Sequence, residues 1–278
     1  MRRPIYSAFG SAVGHEVAEE LMSAASSAPE SARLQQAVLS VVGPVFSFLW
    51  RIKSVGGDQL PTDGPAILAA NHNSVIDSFF LPVAAARPVS FVGKAEYLDG
   101  WKTRRLFPAL GMIPIDRSGG DASARALDTA AEVLDGGSLF GIYPEGTRSR
   151  TGLLHKGHTG AARLSVRTGA PIIPVGILGT RAIQPPDASM PKCFRPAEIR
   201  FGRPIYPAES TSVTDTRLRY RQMTDELMFE IRALTGQDYV NEYATKAKMG
   251  AAETMQATGT REMLERRSSA DVLRPTRP

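Results

Sequence analysis

A histidine and an aspartate five positions apart carry the strongest chemical signal in the sequence. His72 follows the apolar run 65–70, and Asp77 comes next in a segment of helical pattern. A neutral imidazole can accept a proton near neutral pH, and a carboxylate bonded to its other ring nitrogen fixes the tautomer and stabilises the imidazolium. The pair therefore predicts a general base with its orienting carboxylate. The alternative is that His72 and Asp77 only cap a helix, and the pair alone does not exclude it.

Two arginines follow other apolar runs of the sequence. Arg117 comes after residues 111–115, and Arg148 lies in the loop 143–149, which also holds a glycine and two hydroxyl side chains. Guanidinium groups bind phosphate through paired hydrogen bonds, and a glycine lets the backbone approach an anion closely. Ligands bind outside the carboxyl ends of strands in open α/β sheets, so His72 and both arginines are predicted to meet. Taken singly, each arginine could equally be a surface charge.

The elements that position these residues alternate between strand and helix patterns. The predicted strands are 66–70, 88–92, 111–115, 139–143 and 171–177, and the predicted helices are 74–85, 121–135, 158–167 and 213–235. Such alternation is typical of an α/β fold, with a largely parallel sheet flanked by helices. Residues 198–201 are predicted to add a short edge strand.

An uncharged apolar stretch precedes this domain. Residues 37–50 contain no charged side chain, and Arg51 and Lys53 follow at once. Fourteen residues are too few to cross a bilayer, and the Gly43-Pro44 pair is predicted to break or kink a helix. We therefore expect residues 33–54 to be an apolar membrane-interface helical segment, with Trp50 and the cations at headgroup level. The alternative is a buried core helix.

The remaining boundaries follow from composition. Residues 1–32 are predicted to be a mobile extension, residues 55–243 the main domain and residues 244–278 a polar, disordered tail. The first residues lack the apolar core of a secretory signal, and no run reaches the 18–20 or so apolar residues that span a bilayer.

Charge and cysteine content narrow the classes of function. The net charge of +5 and a pI near 9.5 favour an anionic partner, without choosing between nucleic acid, anionic lipid and a phosphorylated substrate. Cys193 is the only cysteine, which excludes an internal disulfide and a thiolate metal cluster. Cys193 lies far from any histidine motif, and no Gly-x-Ser-x-Gly occurs, so a serine or cysteine hydrolase is disfavoured. His155 and His158 are interrupted by Gly157 with no carboxylate nearby, and no metal site is predicted.

Four segments resemble, in order and spacing, the motifs of the glycerolipid acyltransferases, the 1-acylglycerol-3-phosphate O-acyltransferase family. Residues 71–77 (NHNSVID) are similar to the first motif, His-x-x-x-x-Asp, and residues 111–117 to the second, which ends in arginine. Residues 143–149 (YPEGTRS) are similar to the third, with Tyr143 in place of the usual phenylalanine. Residues 170–175 are similar to the fourth. The resemblance covers about residues 33–235 and identifies 55–243 as an acyltransferase domain.

The resemblance implies acyl transfer without an acyl-enzyme intermediate. His72 would take the proton from the acceptor hydroxyl, Asp77 would orient His72, and the hydroxyl would attack the thioester of acyl-CoA or acyl-carrier protein. Residues matching the family positions for the acceptor phosphate and its support are Arg117, Glu145, Gly146 and Arg148. Lys94 falls where family members often carry a lysine near the reaction centre and is expected to bind an anion or the oxyanion. Thr147, with its hydroxyl in the same loop as Arg148, is also expected to bind substrate. Glu145, as a carboxylate, is expected to pair with an arginine or to cap backbone amides.

The sequence therefore predicts a membrane-associated enzyme that makes phosphatidic acid from lysophosphatidic acid. No cofactor is expected beyond the acyl donor, and the partners expected are the lipid acceptor, the donor and a membrane surface, with no nucleic acid. The expected location is the cytoplasmic face of the cell membrane, in a peripheral or monotopic arrangement. The alternatives are another lysophospholipid or glycolipid acceptor, or a non-catalytic lipid-binding protein of the same fold.

Overall fold

The computed structural model describes residues 30–94, 110–115, 122–207 and 216–244. Its helices are α1 (Glu30–Trp50), α2 (Asp77–Ala85), α3 (Ala122–Asp135), α4 (Gly160–Thr168), α5 (Thr180–Ile183) and α6 (Thr216–Thr235). Its strands are β1 (Ile52–Val55), β2 (Ala66–Ala70), β3 (Val89–Lys94), β4 (Met112–Ile115), β5 (Leu139–Ile142), β6 (Leu154–His155), β7 (Ile172–Leu178), β8 (Ala197–Phe201) and β9 (Tyr239–Val240).

Seven strands form one sheet in the order β1-β8-β7-β2-β5-β3-β4. Five of them, from β7 to β4, run parallel, while β8 lies antiparallel to β7 and parallel to β1. The fold class expected from the sequence, a largely parallel sheet flanked by helices, is confirmed. The carboxyl ends of the parallel strands lie at one edge of the sheet, which we call the carboxyl edge.

Strand β2 occupies the centre of the sheet and is buried along its whole length. Its alternate side chains enter different cores: Leu68 packs on the face covered by α1 and α2, and Ile67 packs on the face covered by α3, α4 and α6. A strand with apolar side chains on both faces is stable only between two helical layers, which explains why this run lacks polar alternation. The turn after β2 therefore begins from a strand that is packed on both faces.

Helix α1 lies along the sheet and is tied to the domain near both of its ends. The Gln35 amide donates to the carbonyls of Val89 and Leu110, both at 3.0 Å, and the Trp50 indole donates to the carbonyl of Lys192 at 2.9 Å. These anchors are separated by about 22 Å along the helix axis. The outer face of the helix is apolar and exposed; its members are Leu34, Val41, Val45 and Phe48.

Three expectations for the amino-terminal segment need correction. The helix extends from Glu30 to Trp50 and continues through Gly43-Pro44, because Pro44 lies on the solvent side, where water can bond the carbonyl that a proline leaves unpaired. The window Ala32–Trp50 has a mean hydropathy of 1.2 and is long and apolar enough to span a membrane by length and composition. The segment 33–54 is not helical throughout, since Ile52–Val55 form strand β1 of the main sheet.

Strand β8 was predicted to be an edge strand. This prediction is wrong, because β1 pairs with the outer side of β8. The β1 sequence Ile-Lys-Ser-Val is largely exposed and lacks the apolar run that marks a buried strand. A second, two-stranded sheet of β6 and β9 was not predicted either. It joins the chain after β5 to the chain after α6, so that the segment 237–244 lies against the third-motif region.

Several expectations fall outside the described residues. They concern the extension before residue 30, the tail from residue 245 and the side chains of Lys94 and Arg117. The proposed roles of Lys94 and Arg117 therefore stay predictions.

Candidate active site

Asn71 holds the turn that carries His72 at the carboxyl end of β2. Its side-chain carbonyl accepts the Ile177 N–H at 2.7 Å, and its amide donates to the Ile177 carbonyl at 2.9 Å. A side chain thus continues the pairing of β2 with β7 where the β2 backbone turns away. The Ser149 N–H donates to the His72 carbonyl at 2.6 Å and ties this turn to the third-motif loop. The backbone of His72 is consequently fixed from two sides.

His72 and Asp77 form a hydrogen-bonded pair. The His72 Nδ1 lies 2.9 Å from the Asp77 Oδ2, and the same oxygen accepts the N–H groups of Asn73 and Ser74 at 2.8 Å. Asp77 is fully buried, whereas 15% of the His72 side chain is exposed. A carboxylate on Nδ1 places the proton there and leaves Nε2 as the acceptor. The arrangement has the geometry of a base with its orienting group. The same carboxylate also caps the turn, so both interpretations of the His72–Asp77 pair, base and cap, fit the structure.

Tyr143 supports the imidazole from one side. Its ring stacks on the His72 ring with centroids 3.8 Å apart and planes 12° apart. Its hydroxyl shares a hydrogen bond of 2.8 Å with the Ser78 hydroxyl. Burial raises the pKa of Tyr143 well above its usual value, and the charge of Asp77 adds to this, so the phenol stays protonated. The ring thus restricts rotation of the imidazole without competing for its protons.

Glu145 joins the two loops that flank the histidine. Its Oε1 accepts the His72 N–H at 3.1 Å, and its Oε2 accepts the His155 N–H at 2.9 Å. Of the two roles expected for this carboxyl group, capping of backbone amides is the one that the structure supports. Burial raises the pKa of Glu145 to about 7, although the two amide bonds oppose that rise. Glu145 therefore lies behind the turn that carries His72, and each of its carboxyl oxygens accepts a backbone amide.

The comparisons with known proteins agree with this geometry. The family model described as Acyltransferase matches residues 51–178, which run from β1 to the end of β7 and include the His72–Asp77 pair and the third motif. Over residues 51–178 the chain is therefore similar to the acyltransferase family. The glycerolipid acyltransferase resemblance seen in the sequence is thereby confirmed.

Curated relatives carry one common name. The chain is 26% identical over 165 residues to the chloroplastic 1-acyl-sn-glycerol-3-phosphate acyltransferase of Brassica napus, covering 58% of this chain and 46% of that protein. It is 36% identical over 137 residues to the enzyme of the same name from Limnanthes douglasii, covering 46% of each. The match to the Borreliella burgdorferi enzyme of that name is 27% identical and covers 47% of this chain and 52% of that protein. The chain thus spans about half the length of the curated relatives that it matches.

A solved structure has the same fold. The crystal structure of the 1-acyl-sn-glycerophosphate (LPA) acyltransferase PlsC from Thermotoga maritima superposes with a TM-score of 0.55 at 22% identity, covering 78% of this chain and 89% of that one. The shared fold covers more of the chain than the family match at residues 51–178.

The third-motif loop, whose Ser149 bonds the His72 carbonyl, carries three further candidate residues, Gly146, Thr147 and Arg148. Gly146 has a positive φ of 72°, and a Cβ added there would lie 3.3 Å from the His158 ring, so the turn favours glycine on both counts. Thr147 is half-buried in the same turn. The Arg148 Nη1 donates to the Pro186 carbonyl at 3.0 Å. This bond directs part of the guanidinium toward the loop after α5.

Gln237 belongs to the site although no motif includes it. Its Oε1 accepts from the Asn71 amide at 2.9 Å, and its own amide donates to the Gly152 carbonyl at 2.7 Å. It thereby connects the chain just after α6 to the turn that carries His72 and to the loop after the third motif. Sequence reasoning missed Gln237 because 166 positions separate it from Asn71. Asn71 itself carried a signal, since a polar residue directly ended a wholly apolar strand.

No group of three His, Cys, Asp or Glu side chains that could hold a metal ion occurs in the part of the chain that the structure describes. His155 is the second residue of β6 and is buried, and burial lowers its pKa. His158 stacks on Tyr243 with ring centroids 4.5 Å apart. The stacking accounts for His158, whereas the ring nitrogens of His155 have no hydrogen-bond partner among the described residues.

The raised pKa of Glu145 predicts a pH-dependent stability. The folded pKa of about 7 exceeds the model-compound value of 4.5, so the contribution of this group is complete below about pH 4.5 and is lost as pH rises through about 7. We expect the unfolding free energy of the wild type, minus that of Glu145→Gln, to fall over this range by up to about 3 kcal/mol. Denaturant unfolding at several pH values measures it, with exposed Glu226→Gln as a pH-independent control. A difference that grows with pH would contradict the assignment.

Proposed function

We propose that this protein transfers an acyl chain from acyl-CoA or acyl-carrier protein to the free hydroxyl of lysophosphatidic acid, giving phosphatidic acid. The observation that carries the proposal is the His72 imidazole, bonded through Nδ1 to buried Asp77 and stacked on Tyr143 at the carboxyl edge of the sheet. Binding a lipid requires neither a base nor its orienting group, so this pair argues against the non-catalytic alternative. The names of the relatives supply the acceptor class.

The chemistry follows from the two nitrogens of His72. Nε2 takes the proton from the acceptor hydroxyl while the oxygen attacks the thioester carbonyl carbon. The C–S bond then breaks, and the imidazolium returns the proton to the leaving thiolate. Asp77 stabilises the imidazolium between these steps, because its buried charge lies 2.9 Å from Nδ1. The donor and acceptor meet directly, so the protein needs no acylated side chain and no cofactor.

Arg148, with Arg117 and Lys94, is proposed to act on anionic groups of the substrates. Arg148 lies one residue from Ser149, whose N–H bonds the His72 carbonyl, so a phosphate bound by Arg148 would place the glycerol hydroxyl near the base. Glu145 and Gly146 would support this loop and not contact the phosphate themselves, and Thr147 would add a hydroxyl to the anion site.

Arg148→Ala should weaken use of the phosphorylated acceptor selectively. A charge-assisted bond contributes about 1.5–3 kcal/mol, which corresponds to roughly ten- to 150-fold in kcat/KM. The measurement compares lysophosphatidic acid with monoacylglycerol, which lacks the phosphate; Arg148→Lys should recover only part of the loss. Arg232→Ala, an exposed arginine of α6, is the matched control. Equal losses on both acceptors would show that Arg148 binds the acyl donor or supports the fold instead. A wild-type enzyme that prefers another lysolipid would show that lysophosphatidic acid is not its acceptor.

Helix α1 is proposed to seat the protein on the cytoplasmic face of the membrane without spanning it. Its anchors at Gln35 and Trp50 bind it to the domain over most of its length, so the apolar outer face can meet lipid only sideways. If α1 spanned the membrane, the domain bonded along it would also have to enter the hydrocarbon. The polar groups on the domain's surface would then lose their hydrogen bonds to water.

Val41→Asp with Val45→Asp should move the protein from membranes to the soluble fraction. Both side chains are exposed, by 72% and 53%, so the substitution costs the folded core little. Membrane flotation measures the distribution, and thermal unfolding verifies the fold. Leu218→Asp, an exposed apolar position on α6 across the sheet, should leave the distribution unchanged. Retention of the double variant on membranes would contradict seating by this face.

A further inference from the structure

A second cluster of exposed apolar side chains lies beside the carboxyl-terminal end of α1. Met190 and Phe194, in the loop between α5 and β8, are 76% and 63% exposed, and Phe48 of α1 is 74% exposed. With neighbouring cations they form what we call the basic-aromatic surface, whose members are Phe48, Arg51, Met190, Lys192, Phe194 and Arg195. Neither the motifs nor the matched segment 51–178 includes its loop half.

Backbone bonds hold this surface in place. The Phe194 N–H donates to the Leu49 carbonyl at 2.7 Å, and the Arg51 guanidinium donates to the Phe194 carbonyl at 3.3 Å. Phe194 has a φ of 60° and Arg51 a φ of 43°, both in the left-handed region that few side chains other than glycine adopt. Two such residues bonded to each other indicate an arrangement that the surrounding contacts enforce. The exposure of the Phe194 ring is therefore a property of an ordered loop.

The surface lies at the same edge of the sheet as the candidate active site. Ile52, the first residue of β1, pairs with Ala197, and the next β8 residue, Glu198, pairs with Leu178 at the carboxyl end of β7. Because β1 and β8 run opposite to β7 and β2, the start of β1 and the end of β2 share the carboxyl edge. Three inter-strand spacings separate β1 from β2, which is about 14 Å. A flat surface can therefore contact the loop and pass close to His72.

The charges of the surface select its partner. The basic-aromatic surface contains three cations, Arg51, Lys192 and Arg195, and the two segments that form it, 44–53 and 188–196, contain no acidic residue. An open groove of about 580 Å³ lies among Ser47, Phe48, Arg51 and Phe194. Aromatic rings interleaved with cations suit the boundary between headgroups and hydrocarbon, where the rings enter the lipid and the cations meet phosphate. An apolar protein partner would not need the cations.

We propose that the basic-aromatic surface is a second membrane contact, which inserts Phe48, Met190 and Phe194 into an anionic phospholipid interface. Together with the outer face of α1, it turns the carboxyl edge of the sheet toward the bilayer, so that a lipid acceptor reaches His72 without leaving the membrane plane. Delivery of the acceptor to His72 rests on the proposed function, whereas the membrane contact itself can be measured without any turnover.

Cys193 provides the direct probe, because it is the only cysteine of the chain, is exposed and precedes Phe194. Wild-type protein labelled there with a polarity-sensitive fluorophore is mixed with phosphatidylglycerol or phosphatidylcholine vesicles. We expect a blue shift and a rise in emission with the anionic vesicles, and at least about fivefold weaker partition to the zwitterionic ones. A Cys193→Ser/Glu226→Cys protein, labelled on the opposite helical layer, should show no shift. An unshifted Cys193 label on vesicle-bound protein overturns the proposal, and so does indifference to lipid charge.

Phe194→Asn tests the aromatic side chain without straining the loop, since asparagine accepts a positive φ more readily than phenylalanine. We expect roughly five- to 30-fold weaker partition to anionic vesicles with an unchanged melting temperature. Phe229 has the same 63% exposure on α6 and offers the matched control, Phe229→Gln, for which partition should not change. Equal partition of Phe194→Asn and wild type would overturn the proposal.

An assay in detergent separates this inference from the proposed function. Phe194→Asn should acylate detergent-dispersed lysophosphatidic acid at the wild-type rate, because no step of the chemistry uses Phe194. Loss of insertion with intact transfer supports the surface. Intact insertion in a protein that transfers no acyl group would instead overturn the function and leave the membrane contact standing.

Discussion

The His72→Ala variant is expected to lose about 10²- to 10⁴-fold in kcat while remaining folded. The size of the loss is that of a general base removed from a bound complex. The His72 ring is 15% exposed, stacks on Tyr143 and bonds Asp77. Its removal should leave the fold intact, because the buried Asp77 carboxylate keeps its hydrogen bonds from the amides of Asn73 and Ser74. The KM for lysophosphatidic acid should change little, since the base is not proposed to bind the phosphate.

Steady-state kinetics and thermal unfolding of the same preparation measure this expectation. His158→Ala is the matched control, since that imidazole stacks on Tyr243 and is not the base proposed here. We expect its kcat to fall less than about tenfold. A His72→Ala enzyme within a few-fold of wild type would show that another group, or water alone, deprotonates the acceptor.

Asp77→Asn is expected to be almost as severe, for a reason that the geometry makes specific. Asp77 Oδ2 accepts from His72 Nδ1 and from the amides of Asn73 and Ser74. An asparagine carbonyl oxygen at the Oδ2 position could keep all three bonds, but it would carry no charge and would leave the NH₂ group at the buried Oδ1 position, which has no hydrogen-bond partner in the described part of the chain. The imidazolium that forms on His72 would then lose the charge that stabilises it. The kcat should drop by about 10²–10⁴ with a preserved fold.

The readout that separates this loss of charge from a structural effect is the division between kcat and KM. A preserved melting temperature and acceptor KM beside the lost kcat would support stabilisation of the base by the Asp77 carboxylate. Asp128→Asn, in an exposed ion pair with Arg167 on the opposite helical layer, should alter none of the three quantities. If Asp77→Asn kept a normal kcat, the Asp77 carboxylate would have only the structural role of capping the turn.

The centre of the fold and the catalytic pair could be predicted from the sequence because both depend on neighbours along the chain. Strand β2 runs from Ala66 to Ala70 as expected, since Pro65 and Asn71 bound an uninterrupted apolar run. The contact between His72 and Asp77 spans five residues, and a strand–turn–helix brings such residues together by itself. The helix after the turn begins at Asp77 and not at Ser74, because the intervening amides bond the Asp77 carboxylate.

What the sequence could not predict depends on contacts between distant segments. The amide of Gln237 reaches Gly152, and the edge strand β1 exists only through β8, 145 positions later. Neither segment carries an apolar period of its own, so its structure is decided by its partner. The loop at Phe194 also depends on a distant segment. Its sequence indicates little more than a turn, and its conformation is fixed by a hydrogen bond to the end of α1.

The most direct test of the account is formation of phosphatidic acid by the purified wild-type protein. Acyl-CoA and acyl-carrier protein are each supplied with lysophosphatidic acid, and a second sample receives the donor alone before quenching and intact-mass analysis. We expect phosphatidic acid from at least one donor, none above background with His72→Ala, and no acyl adduct on the protein, at Cys193 or elsewhere. Absence of phosphatidic acid with both donors, or an adduct that passes its acyl group to the acceptor, would contradict direct transfer promoted by His72.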